Sequence, residues 1–339
     1  MRSLTDTIYK RMPEGRSHGY VLLSVVCWGG AQYLTDALLS VFSPALMIML
    51  RFLLSGLVLC LLYGKSGNFH MVVFLKRYLP AGGLGAFGYY LLAAYALRIT
   101  SLPFVSIMGG ILPLLALLLD ITVLRKKAQL TDWLKALLSV AGVLLLSCGA
   151  GFSWNITGGV LMIAANLTWL FYGILIKSWN EQGKNKQKKN GQELDRQENN
   201  RQEDNKHEWN KQEENVEKKN TQKENAELGY EFLAASFLTF FFFQDFRVCG
   251  RIAMWEIILL LLLVAVGTIL PYRFYREGSK GMSLQTASIY LNLLPVITLL
   301  PSLITGRMQL KGLQFPGIIF LILAGLLGKA GKGGRSTGK

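Results

Sequence analysis

The sequence is poor in the side chains on which most soluble chemistry depends. It has three histidines and four cysteines in 339 residues, and only 17% of its residues are charged. A soluble domain carries ~25% charged residues. So few cysteines exclude a disulfide scaffold, and their spacing fits no metal site. Cys27, Cys60 and Cys148 lie inside apolar segments and Cys249 at a loop. His18, His70 and His207 all fall outside the apolar segments, which leaves no histidine proton relay. Acidic residues are also scarce, 21 against 36 Lys and Arg. No Asp or Glu is expected near the middle of an apolar segment. Gly82, Gly83, Gly85 and Gly88 are not followed by the Lys-Ser/Thr of a phosphate loop, and read as helix-packing glycines. No nucleotide, cofactor or metal is implied.

What is there is hydrophobic: 51% of residues, with a mean hydropathy of +0.33. The average understates the rest of the chain, because Trp179–Glu227 is almost wholly polar. From Lys177 to Glu227 there are 12 basic and 12 acidic residues, which cancel. The net charge of +15 therefore comes from the remaining 24 basic and nine acidic residues. These are scattered between apolar segments rather than gathered on an arm or face, which argues against a nucleic-acid partner.

Crossing a hydrocarbon core of ~30 Å takes ~20 mainly apolar residues in a helix. Ten segments qualify: 19–41, 44–63, 78–97, 102–124, 131–150, 156–176, 229–246, 255–276, 283–305 and 312–328. They are continuous apolar runs, without the alternation of a membrane β-barrel. The predicted fold is an all-α integral membrane protein with the lipid bilayer as solvent. Lys and Arg gather in alternate connections, including Lys65, Lys76 and Arg77, then Arg125, Lys126 and Lys127, so both termini are predicted to be cytoplasmic in the cell membrane. Residues 1–18 show no separate apolar stretch, and no cleaved signal peptide is expected.

A repeat emerges from the spacing. Leu112-Pro113 and Leu294-Pro295 are 182 residues apart, as are Tyr90 and Tyr272, and Arg125 and Arg307. Trp28 and Trp169 are 141 apart, the difference falling at the polar tract. The chain thus divides into a cytoplasmic segment 1–18, a five-helix repeat 19–150, a second repeat 151–328 interrupted by an insert at 178–227, and a basic tail 329–339. An odd number of helices inverts one half against the other, the build of many secondary transporters. The insert has too few apolar residues for a core and is expected to be disordered or transiently helical.

Cys27-Trp28-Gly29, Pro44 to Arg51-Phe52, Tyr95-Ala96-Leu97-Arg98, Leu112-Pro113, Ala141-Gly142-Val143, the Ala165, Trp169, Tyr172 pattern and Leu294-Pro295-Val296 follow in order. In this the sequence resembles the ten-helix EamA-type members of the drug/metabolite transporter superfamily, over most of 19–328 without the insert. The family often has Gly-Glu after the fourth and ninth helices, where this chain has Leu124-Arg125 and Gly306-Arg307.

Polar and aromatic residues within the helices are the candidate solute contacts: Trp28, Gln32, Tyr33, Tyr89, Tyr90, Asn166, Trp169, Tyr172, Tyr272, Tyr290 and Asn292. Facing lipid, the polar ones would cost free energy. They line a cavity, or else bridge helices and pack. Pro113 and Pro295 each remove a backbone hydrogen bond mid-helix and are candidate hinges, or static kinks. Asp36 and Arg51 are placed for an intramembrane ion pair, Asp120 for a pair with Arg125 or Lys126, and Arg273, Arg276 and Glu277 for an interfacial cluster. The expected function is secondary active transport, as an exporter, of a small neutral, zwitterionic or anionic metabolite such as an amino acid, with a proton or counter-solute as coupling partner. The alternative is a non-transporting scaffold or sensor acting through the insert. An intramembrane enzyme is disfavoured, because no catalytic cluster is apparent.

Overall fold

A computed structural model describes residues 14–66, 69–100, 102–148, 155–198, 206–242, 246–248, 250–280, 282–304 and 312–330. Within them the chain is a bundle of helices without a strand. In order these are α1 (Glu14–Leu39), α2 (Pro44–Tyr63), α3 (71–99), α4 (Leu102–Gly110), α5 (Leu112–Thr122), α6 (Leu130–Leu146), α7 (Ile156–Glu198), α8 (Lys206–Phe242), α9 (Met254–Ser279), α10 (Leu284–Leu291), α11 (Leu294–Ile304) and α12 (Gln314–Ala330). Arg16–Leu39, Pro44–Tyr63, Ile156–Trp179 and Met254–Ser279 are long and apolar enough to cross a membrane, and shorter apolar helices accompany them. The protein is thus an all-α membrane protein. His18, expected outside the helices, lies within α1.

Local chemistry sets several boundaries. Ser43 caps α2 by accepting from Leu46 N, with Pro44 opening the helix where no donor is needed. Asp132 in the first turn of α6 accepts from Gln129 N at 3.0 Å. Beyond α5 the chain turns through Arg125 at φ +50°, and Lys126 N returns to Asp120 O at 2.8 Å.

Both candidate prolines mark interruptions. The chain leaves helix at Ile111, between α4 and α5, and at Asn292-Leu293, between α10 and α11. Each proline lacks an N–H, and its ring crowds the carbonyl four residues back. Two further irregularities share the separation of 182: π-helical segments at Gly83–Gly88 in α3 and Ala265–Ile269 in α9. A π turn widens the helix and leaves carbonyls outside the α ladder.

With lipid as apolar as the core, packing depends on close approach at small residues. At the α6–α12 crossing, a methyl on Gly142 would lie 2.9 Å from Gly317 O, and one on Gly317 would lie 2.8 Å from Gly142 O. At the α3–α7 crossing, one on Gly85 would lie 2.5 Å from the Tyr172 ring.

The polar insert departs from the expectation in its described part. Helix continues through it from both sides, in α7 to Glu198 and in α8 from Lys206. Lys, Glu and Gln are good helix formers, and extending an existing helix avoids the nucleation cost. Its expected end at Glu227 is too late: Asn225, Ala226 and Glu227 are already buried in the bundle.

Candidate functional site

The middle of the bundle is an aromatic box. The Trp28 ring of α1 meets Trp169 of α7 at 5.5 Å, and Tyr272 and Tyr275 of α9 at 5.5 and 5.7 Å. Trp169 also meets Tyr172 at 5.6 Å, Tyr275 at 5.3 Å and Tyr89 at 5.9 Å. Most contacts are tilted or edge-to-face, as the ring quadrupoles favour. Trp28 and Trp169 are buried. The Trp28 indole N–H has no hydrogen-bond partner among the described residues. The Trp169 indole nitrogen neighbours the Tyr275 hydroxyl, short of full hydrogen-bond geometry. Buried indole N–H groups usually find an acceptor.

Below the box, toward the end of the bundle from which the insert projects, lies an ion pair that the sequence did not single out. Glu231 of α8 and Arg276 of α9 are 2% and 8% exposed. Arg276 Nη2 donates to both Glu231 oxygens at 2.5 Å, and its Nε donates to the Tyr172 hydroxyl at 3.2 Å. The sequence places Arg276 in an interfacial cluster and Glu231 near a segment start. Glu231 is 11 residues, ~16 Å, from the far end of α8, well inside the apolar part. A lone acid in an apolar run is a functional signal by default, and that signal was present in the sequence.

Beside this pair is a small cavity of about 20 Å³, lined by Tyr172, Lys177, Tyr275, Arg276, Ser279 and Ser283, with apolar residues between them. Around the same end, further ion pairs tie helices together. Arg77 joins Glu227 at 2.9 Å and lies 4.4 Å over the Trp179 ring. Lys280 joins Glu224 and Glu277, both at 2.7 Å. Glu224 and Lys280 lie beyond the apolar spans. Burial works to raise the Glu224 carboxyl, and the Lys280 ammonium reverses this, holding it below its ordinary value. Burial likewise works to lower Lys280, and its two carboxylates hold it above its ordinary value. Asp120 pairs with Lys126 at 2.5 Å.

The other candidates divide by their partners. Asn166 donates to Met108 O at 2.8 Å, and Asn292 donates to Gly110 O at 2.7 Å and Ser139 Oγ at 2.8 Å. Both amides are thus committed to backbone where α4 is interrupted. Tyr272 donates its hydroxyl to Gly85 O at 3.0 Å, in the π segment of α3. Arg51 serves the matching π segment of α9, donating to Gly267 O and Thr268 Oγ1, both at 2.6 Å, with its guanidinium 5.1 Å over Tyr90. The Asp36 side chain lies outside the described residues. Tyr290 shares a 2.9 Å hydrogen bond with His18 Nδ1. Gln32 and Tyr33 are exposed on the surface of the bundle, away from the box. Among the described residues no group of His, Cys, Asp or Glu is placed to hold a metal ion.

Residues 16–148 match the model of the EamA-like transporter family. A solved structure described as "Crystal structure of protein" has a TM-score of 0.67 at 15% identity, over 93% of this chain and 98% of that one. At that identity the likeness shows the fold alone. No curated protein matches the sequence.

Proposed function

We propose, from the match of residues 16–148 to the EamA-like transporter family, that the chain is a member of the drug/metabolite transporter superfamily and a secondary active exporter of a small neutral, zwitterionic or anionic metabolite. In this reading ten helices cross the cell membrane as two inverted halves, with both termini and the insert in the cytoplasm. The observation that carries it is the aromatic box with the unpartnered Trp28 N–H, bordered by the cavity at Arg276 and contributed by both halves of the chain. A site at the interface of inverted halves is exposed to each side in turn when one half rocks against the other. The interruptions at Pro113 and Pro295 and the π segments at Gly83–Gly88 and Ala265–Ile269 supply bending points at matching places in each half. A proton or counter-solute gradient is the energy source in this account.

The test is solute flux. Purified protein in proteoliposomes is assayed for uptake of metabolites first ranked by comparing cells with and without it. Saturable flux that falls in Trp28→Ala and Trp169→Ala supports the reading. Absence of flux for every ranked metabolite, from protein shown to be folded, rejects it in favour of a scaffold or sensor.

A further inference from the structure

We propose that the cavity between α7, α9 and α10 binds a carboxylate-bearing solute on Arg276, and that Glu231 holds the solute's place there when the site is empty. This rests on the transport reading and narrows its three solute classes to those with a carboxylate.

Three observations carry it. Arg276 is the cation that both lines the cavity and makes the buried pair with Glu231. Its fork is engaged end-on: both carboxylate oxygens converge on Nη2, while Nε is given to the Tyr172 hydroxyl. Arginine binds carboxylates best side-on, with two parallel N–H···O bonds. The internal carboxylate therefore does not use the two-nitrogen fork. Tyr172 and Tyr275 belong to both the cavity wall and the aromatic box. A solute whose carboxylate sits on Arg276 then presents its body to the Tyr172 and Tyr275 rings. With Glu231 in place the cavity, at about 20 Å³, holds about one water, so a solute's carboxylate enters only as Glu231 swings aside. When displaced, Glu231 still has the Tyr172 hydroxyl within 3.4 Å.

The probe is benzoate, with benzamide as its neutral analogue of the same shape, titrated onto purified protein in lipid nanodiscs. Binding is read by quenching of tryptophan fluorescence and by the rise in Tm. Benzoate is expected to bind at least ten times more tightly than benzamide. Glu231→Gln, which removes the internal competitor, is expected to tighten benzoate binding several-fold. Arg276→Gln leaves Glu231 buried without its cation, as Glu231→Gln leaves Arg276 without its anion, so binding is compared only between variants shown to be folded. The double variant Glu231→Gln, Arg276→Gln has no such charge, and is expected to fold and bind no benzoate. Equal binding of the two probes, no binding of benzoate, or weaker benzoate binding in Glu231→Gln each overturns the proposal. Flux reports separately: metabolite flux without benzoate binding rejects this inference alone, whereas benzoate binding without any flux rejects transport and leaves the site.

Discussion

The Asn292 side-chain amide donates to the Gly110 carbonyl at 2.7 Å, joining the two interrupted helices at residues 182 positions apart. One interruption exposes the carbonyl, and the other supplies the amide that satisfies it. The same amide reaches Ser139 Oγ on α6, so three elements meet where neither water nor the α ladder can serve the backbone.

Replacing Asn292 by Ala leaves Gly110 O buried without this donor, which costs about 1–3 kcal/mol. Asn292→Ala is therefore expected to lower the thermal midpoint in detergent by several degrees, and Asn166→Ala to act the same way through Met108 O. Gln32→Ala, on the exposed face of α1, is expected to leave it unchanged. Three equal midpoints would show that the amides do not support the interruptions.

Arg125 is the non-glycine residue with positive φ among the described residues, at +50°. A β-carbon is disfavoured there, and glycine is not. After subtraction of glycine's larger unfolded-state entropy, Arg125→Gly is expected to stabilise the protein by roughly 0.5–1 kcal/mol. Chemical unfolding of the two proteins side by side measures it, and a loss of stability would mean that the arginine side chain contributes more than its backbone strain costs.

Trimming the insert distinguishes its two parts. Replacing 181–217 with a short Gly-Ser linker is expected to leave thermal stability and flux unchanged. Extending the deletion through Glu227 removes the carboxylates paired with Lys280 and Arg77 and is expected to lower stability. If the shorter deletion proves as harmful as the longer one, the insert contributes to folding throughout.

The Glu224–Lys280 pair sets a pH window. A carboxyl held low in the folded state contributes stability that is present above its unfolded pKa, about 4.3, and lost as pH falls through the lower folded value. An ammonium held high contributes below its unfolded pKa, about 10.4, and loses that contribution as pH rises through the folded value. Glu224→Gln is thus expected to be less stable than the natural protein at pH 7, with the gap narrowing below about pH 4. Melting curves across pH check this; a gap independent of pH would remove the pair as its cause.

Much of the site was legible as residues and little of it as partnerships. Trp28 and Trp169, 141 positions apart, do meet. The polarity of Asn166 and Asn292 announced burial but could not tell a solute ligand from a backbone donor, because both uses need the same amide. Gln32 and Tyr33 face outward: in a membrane the surround is as apolar as the core, so periodicity does not say which stripe is inside. Glu231 and Arg276 are 45 positions apart on different helices, and neither segment's composition identifies the partner.

The sequence by itself determined the solvent and the helices. Long apolar runs can satisfy their backbones only as helices in lipid, and prolines interrupt such helices wherever they fall. It also determined that the charge excess lies outside the insert. The tertiary structure alone decided which polar groups meet, because a hydrogen bond or ion pair depends on distances of a few ångströms between helices far apart in the chain. On that scale Arg51 was assigned to the α9 backbone, Asn292 to Gly110, and Arg276 to Glu231 at the edge of a cavity.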